Sequence, residues 1–589
     1  MKSLLKIYSR CYTKKYLIYA IFAIIFMIGD VGIALAIPAI TKGIFTEINS
    51  GRNDLTYVYQ TGILVVVVAL GAVITTILNN VFAQHLSTKI AKDLRKDLFT
   101  KVQDLSFSNV DKITSGTLMT VIANDTNQIQ QIIMTSFRAI LRSPLTLIGA
   151  LVMAFVTNKD LLFIVLIAVF ILGFAITKII TRAAKIFASL QEKTDDLNEK
   201  LIESISGARE IKVFQTEQAD FDKFSKVNNE YTDTIVKANK QMALMDPIIV
   251  LVSNLAIGAV LLAASYFVSR YTGEARIAMV GTISAYISYL QQIIMSLMML
   301  SMVAVSLSRA AVSADRIDLV LNTKIDIVNN DLAIKDINIQ GDIEFHNVSF
   351  GYADEENGGS AKTIENINLK IKAGSTIGVI GSTGSGKTTL VQLIPRLYDT
   401  TEGKLLIDGR NVRDYDLNFL REQISYVTQE PLIFSGTISS NIKQGKEEST
   451  ETEMVKASKL ACAYEYIEST ENQFEHGITQ GGTNLSGGQK QRLSLTRALI
   501  RNPKILILDD SMSAVDAKIE AQIKNNLGTL SKQTTIIVAQ KITSIRNCDN
   551  IIVLDNTGHL DGYGKHDQLL VKSKVYQEIY ASQFGGQNE

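Results

Sequence analysis

The 589-residue sequence predicts a six-span transmembrane α-helical bundle with long cytosolic helix extensions, fused to an α/β P-loop domain. Three observations carry that reading. The composition is 47% hydrophobic with a mean hydropathy of +0.17, too apolar for a wholly soluble chain and too polar for a membrane bundle alone. Six long apolar runs crowd the first half. In the second half an apolar run from Ser375 to Ile380 enters a glycine-rich turn and then Lys387, Thr388 and Thr389. The length itself calls for two or more domains.

Charge and rare residues narrow the classes. A formal net charge of +1 offers no basic surface, so nucleic acid is not an expected partner. Cys11, Cys462 and Cys548 are far apart and form no disulfide or metal framework. The five histidines (85, 346, 476, 559, 566) do not cluster, so no intrinsic metal site is expected. The first apolar run is too long for a cleavable signal peptide.

At the N-terminus, Leu4, Leu5, Tyr8, Cys11 and Tyr12 recur at helical spacing between Lys2, Lys6, Arg10 and Lys14. This pattern predicts a short interfacial helix over residues 1–15. The apolar runs follow at 16–40, 57–83, 136–157, 160–181, 246–270 and 278–306, each long enough to span a bilayer. Their connections alternate between short and long. The two long ones are polar, rich in Lys and Arg, and helical in period, so they read as helices continuing into the cytosol. The basic N-terminus and long connections place these on the inner side. Asp30 is the acidic residue set well inside a span. Such a carboxylate faces the bundle or a water-filled path, either contacting a cationic substrate or bonding a neighbouring helix. The second reading is preferred.

The membrane domain is assigned to 1–322, a linker to 323–341 and the α/β domain to 342–589. In the last, GDIEFHNVSFGY and IENINLKIKAG read as strands ahead of the glycine turn. That turn comprises Gly381, Ser382, Thr383, Gly384, Ser385, Gly386, Lys387, Thr388 and Thr389. Glycines let a backbone wrap a polyphosphate with its N–H groups inward, a lysine reaches the outer phosphates, and a hydroxyl can ligate Mg²⁺. Further signals follow in order. Gln429 comes just after an apolar strand. Leu485 to Arg492 is a glycine turn opening a helix. Ile505 to Leu508 is a buried strand ending in Asp509 and Asp510, and Thr534 to Gln540 is another ending in a polar residue. A carboxylate at such a strand end, beside a P-loop, is the Mg²⁺-side partner that phosphate chemistry needs.

Together these motifs resemble the ATP-binding cassette (ABC) exporters that fuse one membrane domain to one nucleotide-binding domain. The resemblance covers essentially the whole chain, including SNVDKITSGTLMTVIANDT and SGAREIKVFQTEQADF, which are similar to that family's coupling regions. It implies ATP and Mg²⁺ as cofactors. By the same resemblance Tyr352 stacks on adenine and Gly381 to Thr389 cradle phosphates. Gln429 senses γ-phosphate and Mg²⁺, Asp509 is the Walker B acid, and Thr388, Gln429 and Asp509 share the metal. Ser486, Gly487, Gly488 and Gln489 form the signature that closes over an ATP held by another subunit, and Asp516 forms the loop between the two sites.

Two positions depart from the family pattern. Asp510 stands where the water-polarising residue is usually Glu, and Gln540 stands at the switch position, usually His. An Asp carboxylate is drawn back by one C–C bond, about 1.5 Å, and a carboxamide cannot take up a charge as imidazole can. The implied reading is a degenerate ATP site in a heterodimer. An unlike half-transporter supplies the catalytic Glu, and this chain lends its intact signature. Such pairs resemble bacterial multidrug exporters of small amphipathic molecules, multi-pass in the plasma membrane with N-terminus and nucleotide domain cytoplasmic. A lipid flippase is the nearer alternative, and an ATP-gated channel or regulatory ATPase the more distant one.

Overall fold

The computed structural model describes residues 2–10, 13–50, 55–270, 274–330, 332–352, 362–530 and 532–584. Cys11 and Tyr12, which the sequence places in the interfacial helix, lie outside the described residues. The chain forms two compact units. One, helical, holds Met1–Gln103 and Ser115–Thr323; the other, α/β, holds Asp104–Thr114 and Lys324–Glu589.

The helical unit begins with α1 (Lys2–Ser9), α2 (Lys14–Ser50) and α3 (Leu55–Asp104). The chain then passes through α4 (Phe107–Ile113), which packs with the other unit, and returns in α5 (Ser115–Thr120). Next come α6 (Thr126–Thr135), α7 (Arg142–Thr157) and α8 (Lys159–Ser206). It closes with α9 (Ala208–Phe214), α10 (Glu217–Ala243), α11 (Met245–Arg270) and α12 (Glu274–Asn322). Among the described residues six helical stretches are long and apolar enough to cross a membrane. Their pattern is that of a lipid-facing bundle: Phe170 and Leu262 are 77% and 76% exposed, while small and aromatic residues such as Ala150, Ala154, Tyr286 and Tyr289 fill the interior. Asn158 caps α8, accepting the Asp160 and Leu161 amides, and so separates it from α7 by one residue.

As the sequence suggested, α3 and α8 continue far beyond their apolar stretches, although neither long connection is a single helix from end to end. The first breaks at Ser106, whose hydroxyl accepts the Asn109 amide at 3.2 Å while Asn109 Oδ1 accepts the Ser106 amide at 3.4 Å. Such a capping box offers the backbone an alternative to helix, which outweighs the helical period around it. The second breaks at Gly207, and Gln215 ends α9 in the left-handed region at φ 54°.

The α/β unit carries two main sheets. An antiparallel one runs in the order β2 (Lys362–Ile371), β1 (Ile343–Gly351), β4 (Glu402–Ile407) and β5 (Arg410–Asn411). The larger one also uses β3 (Thr376–Gly381), β6 (Ile424–Val427), β9 (Ile505–Asp509), β10 (Thr534–Val538), β11 (Asn550–Leu554) and β12 (Leu560–Gly564). A short ribbon of β7 (Gly436–Thr437) and β8 (Gly477–Ile478) stands apart. The larger order is β12-β11-β3-β10-β9-β6, parallel except for β12. Every residue of β9 and β10 is buried, as expected of a parallel sheet covered on both faces. Parallel alignment sets the carboxyl ends of β3, β6, β9 and β10 side by side, and the segments leaving those ends carry the glycine turn, Gln429, Asp510 and Gln540.

Candidate functional site

The glycine turn leaves β3 and opens the helix Lys387–Gln392. Gly386 sits at φ 84°, and a Cβ there would meet Ile364 Cγ2 at 2.5 Å and the Thr363 carbonyl at 2.8 Å. Only glycine satisfies both the left-handed backbone and that approach. Lys387 folds over the turn, donating to the carbonyls of Gly381 (3.0 Å) and Ser382 (2.7 Å). Burial pulls its ammonium below the ordinary lysine value, while Asp510 and Asp509 act in the opposite direction.

At the end of β9, Asp509 is buried and accepts two hydroxyls, Thr388 at 3.1 Å and Tyr426 at 2.6 Å. Burial raises its pKa above the usual carboxylate range, and those two bonds with Lys387 oppose the rise. Asp510 follows in the left-handed region at φ 47°. Its Oδ2 accepts the carboxamide N–H groups of Gln429 at 3.2 Å and Gln540 at 3.0 Å. Its pKa is raised as well, by burial first and the neighbouring Asp509 second. Thus the two positions that depart from the expected pattern meet directly, with Gln429 as the third member.

Tyr352 stands at the edge of this cradle. Its hydroxyl lies 3.2 Å from Thr389 Oγ1 and donates to Gln392 Oε1 at 3.3 Å. Its ring meets Phe350 and Tyr398 edge-on, with centroids 5.0 and 5.3 Å away.

The signature residues are built as a helix start of their own. Ser486 caps Gly487–Leu499, accepting the Gln489 amide at 3.3 Å, and Gln489 Oε1 accepts the Ser486 amide at 2.8 Å. Gln491 ties this helix to the loop after β9 by accepting the Ala514 amide at 3.0 Å. Among the described residues no hydrogen bond joins Ser486–Gln489 to the glycine turn. Ser486 and Gly487 face outward, exposed. Asp516 caps the helix Ala517–Gly528, accepting the Ile519 amide at 3.0 Å.

In the helical unit, Asp30 is buried and fully engaged. Arg142 pairs with it at 2.8 Å and the Thr76 hydroxyl donates to it at 2.6 Å, joining α2, α3 and α7. A cavity of about 880 Å³ lies elsewhere, among α2, α11 and α12, and Asp30 is absent from its lining. Its walls mix Met295 and Met298 with the polar side chains of Asp246, Asn254, Gln291 and Gln292. Gln292 donates to the Ala34 carbonyl at 2.9 Å, and its own Oε1 is buried without a hydrogen-bond partner.

Sequence reasoning missed Tyr426, Arg142 and the amide-rich cavity. Arg142 had a signal, a basic residue inside the third predicted span. The cavity had none, because it forms only where α2, through Ala34 and Ile37, meets α11 and α12 from the far end of the helical unit's sequence.

Comparison with known proteins adds three findings. Residues 20–297 match the ABC transporter transmembrane region family, and residues 364–513 the ABC transporter family. Among curated proteins, the chain is 36% identical over 574 residues, 98% of both chains, to the uncharacterized ABC transporter ATP-binding protein YfiB of Bacillus subtilis. It is 31% identical over 505 residues, 86% of this chain and 82% of the other, to the ATP-dependent lipid A-core flippase of Syntrophus aciditrophicus. YgaD of Bacillus subtilis, provisionally a multidrug export ATP-binding/permease protein, is 30% identical over 94% of each chain. Among solved structures, a bacterial Atm1-family ABC exporter with ATP bound shares the fold with a TM-score of 0.80 at 24% identity, over 96% of this chain and 99% of that one.

Proposed function

The chain belongs to the ABC transporter family, as a half-transporter fusing a membrane-spanning and an ATP-binding unit, and from this premise we propose that it is one subunit of a heterodimeric exporter of amphipathic small molecules. In this reading its own ATP site holds nucleotide and hydrolyses it poorly. An unlike partner supplies the catalytic glutamate of the second site, and this chain completes that site with Ser486, Gly487, Gly488 and Gln489.

The observation that carries the proposal is the Asp510 carboxylate. It is one methylene short of the usual acid, and both Gln429 and Gln540 donate to it. A general base must come within about 3 Å of the proton it removes. The short acid, already bonded to two carboxamides, is poorly placed to reach a water at a γ-phosphate. The groups that would bind nucleotide lack nothing. Thr388 and Asp509 offer hard oxygens, and Gln429 keeps its amide oxygen unspent, a set that fits Mg²⁺ with ATP. When bound, that ion neutralises charge on the outer phosphate oxygens. Lys387 would trade its two backbone carbonyls for phosphate, and the open turn at Gly384 would let the backbone amides approach.

ATP shared between the Walker motifs of one subunit and the signature of the other favours the closed pair. Closure then shifts the bundle from inward- to outward-facing through differential affinity for the two states. The cavity among α2, α11 and α12 is the candidate substrate site, apolar enough for a hydrophobic body and polar enough to orient it. The basic N-terminus supports placing that end and the ATP-binding unit in the cytoplasm of a bacterial cell. The likeness to a lipid A-core flippase favours a lipid as the second candidate cargo.

The test is a pair of acid removals in the assembled, lipid-embedded exporter. Asp510→Ala should change ATP turnover only modestly, and removing the partner's acid should nearly abolish it. Equal losses would sink the unequal-site reading, as would brisk turnover by this chain alone. Drug-stimulated against lipid-stimulated turnover separates the two cargoes.

A further inference from the structure

Between Tyr352 and α4 stands Tyr398, a residue no motif singles out. It is buried, and four contacts converge on it. Its hydroxyl donates to Asp111 of α4 at 2.6 Å. Its ring lies 6.2 Å from Phe107 of α4 and 5.4 Å from Phe350, and it meets Tyr352 edge-on at 5.3 Å. On the far side, Tyr352 reaches Thr389 in the phosphate turn and Gln392 in the helix that follows. The connection from phosphate turn to α4 is therefore unbroken: Thr389, Tyr352, Tyr398, then Asp111 and Phe107.

The rest of α4 is held by a different residue. Ser108 and Asn109 donate to Asp326 at 3.0 and 3.1 Å, and Lys112 lies 3.8 Å from it. Asp326 sits just past α12, and its bonds run to α4, none among the described residues to the glycine turn. So α4 has two anchors: Asp326, independent of the nucleotide site, and Tyr398, bonded into its edge. A cavity of about 410 Å³ lies between the two anchors, lined by Asp111, Tyr352 and Tyr398 on one side and by Ser108, Lys112 and Asp326 on the other. It gives the rings at the second anchor room to shift, which the densely packed core beneath the sheets does not.

We propose that Tyr398 is a positioning residue that couples occupancy of the Tyr352 platform to α4, so that this subunit reports a bound adenine to the segment joining α3 and α5 without reading the γ-phosphate. The proposal rests on the reading that adenine stacks on Tyr352. The physical basis is short. A base stacked on Tyr352 fixes that ring, and the edge-on contact carries the constraint to Tyr398. The Tyr398 hydroxyl, donating to a carboxylate, passes it on through a charge-assisted bond, the strongest single tie in the series. A site that holds nucleotide through many partner turnovers gains from such a link. ADP or ATP would keep α4 ordered, while Gln429, which is bonded to Asp510 and not to this series, is left to respond to the outer phosphate.

The experiment measures deuterium uptake of the peptide spanning residues 104–114 in the full chain, in lipid nanodiscs, with no nucleotide, MgADP or MgATP, alongside nucleotide affinity from a fluorescent analogue. The unaltered chain should gain protection of that peptide with MgADP and MgATP alike. Tyr398→Phe keeps the ring and loses the bond to Asp111. It should bind nucleotide within about twofold of the unaltered chain and lose about three- to tenfold of the nucleotide-dependent protection, the range expected of coupling carried by single residues. Asp111→Asn should do the same, and the double variant no more than either, because both remove one bond. Full nucleotide-dependent protection in Tyr398→Phe at unchanged affinity overturns the relay and leaves the ATP-site reading intact, and so does protection by MgATP only. Tyr352→Leu separates the premise: unweakened nucleotide binding in that variant overturns the adenine assignment, and the relay with it.

Discussion

Lengthening the acid at residue 510 should restore hydrolysis to this chain's own site. Asp510→Glu advances the carboxylate by about 1.5 Å, one C–C bond. A misplacement of about 1 Å lowers a rate roughly a hundredfold. Recovering part of that distance is therefore worth about ten- to a hundredfold, or ~1.4–2.8 kcal/mol off the barrier. The bonds that hold the short acid back, at 3.2 Å to Gln429 and 3.0 Å to Gln540, are at the long end for charge-assisted ones and should yield. There is a cost in stability. Residue 510 sits at φ 47°, a region Asp tolerates better than Glu, so the variant should lose about 1 kcal/mol. Because the chain carries its own signature segment, a pair of identical variant chains would hold every group a competent site needs once Gln540→His is added. The assay is single-turnover cleavage of bound ATP by the full chain in nanodiscs, with ATP affinity followed in parallel. If Asp510→Glu with Gln540→His binds ATP as before and cleaves it no faster, acid length and switch identity are not what limit this site, and the degenerate-site argument fails.

Three other perturbations test the same geometry. Asp509→Asn removes the buried charge that Thr388 and Tyr426 hold. It should weaken nucleotide binding at least about tenfold with Mg²⁺ and little in its absence, as titration with and without chelator would show; equal losses would remove Asp509 from the metal site. Both Asp509 and Asp510 have raised pKa values, so the folded chain takes up protons above the ordinary carboxylate range, where the unfolded chain does not. Their contribution to stability therefore improves as pH falls from neutral through that window, while MgATP affinity declines over it; affinity flat down to ordinary carboxylate pH would contradict the shifts. Asp30→Asn leaves Arg142, inside the third predicted span, without its counter-charge. The expected destabilisation is about 1–3 kcal/mol by thermal unfolding in lipid, with equal effects on export of cationic and neutral compounds; selective loss of cations would make Asp30 a substrate contact.

The six apolar stretches and the strand-to-turn motifs were legible in the sequence because each is local. Length and hydropathy define a span, and closely spaced glycines followed by Lys387 and Thr388 define a tight turn into a helix without help from elsewhere. The breaks in the long connections were obscured for an equally local reason. Ser106 and Asn109 start a new helix, α4, by side-chain bonds to backbone, a signal carried by two residues against dozens of helical period. What could not be read was anything that depends on which distant residues meet. Tyr426 lies 83 residues from the Asp509 it holds, Tyr398 lies 287 residues from Asp111, and Gln292 lines a cavity with residues from α2. No periodicity encodes such meetings; the order of strands and the docking of α4 create them.

That strand order also bears on whether the two unusual residues count as one change or two. β9 and β10 are neighbours in register, Asp509 opposite Val538, and the Asp510 amide donates to the Val538 carbonyl at 3.1 Å. Residues 510 and 540 therefore leave adjacent strands one and two positions beyond the pair Asp509–Val538, and there their side chains meet. A carboxamide at 540 donates to the short acid without carrying charge. An imidazole there, beside an anionic carboxylate, would be drawn toward its protonated form and held in an ion pair, at the point where a water and a γ-phosphate need both groups free. The shorter acid is thus better matched by Gln than by His, and the longer acid, reaching past residue 540, by His. It follows that Gln540→His alone should recover little hydrolysis, Asp510→Glu alone an intermediate amount, and the two together more than the product of their separate gains. A multiplicative result would mean that the residues act independently, and the bond between them would then be incidental to catalysis.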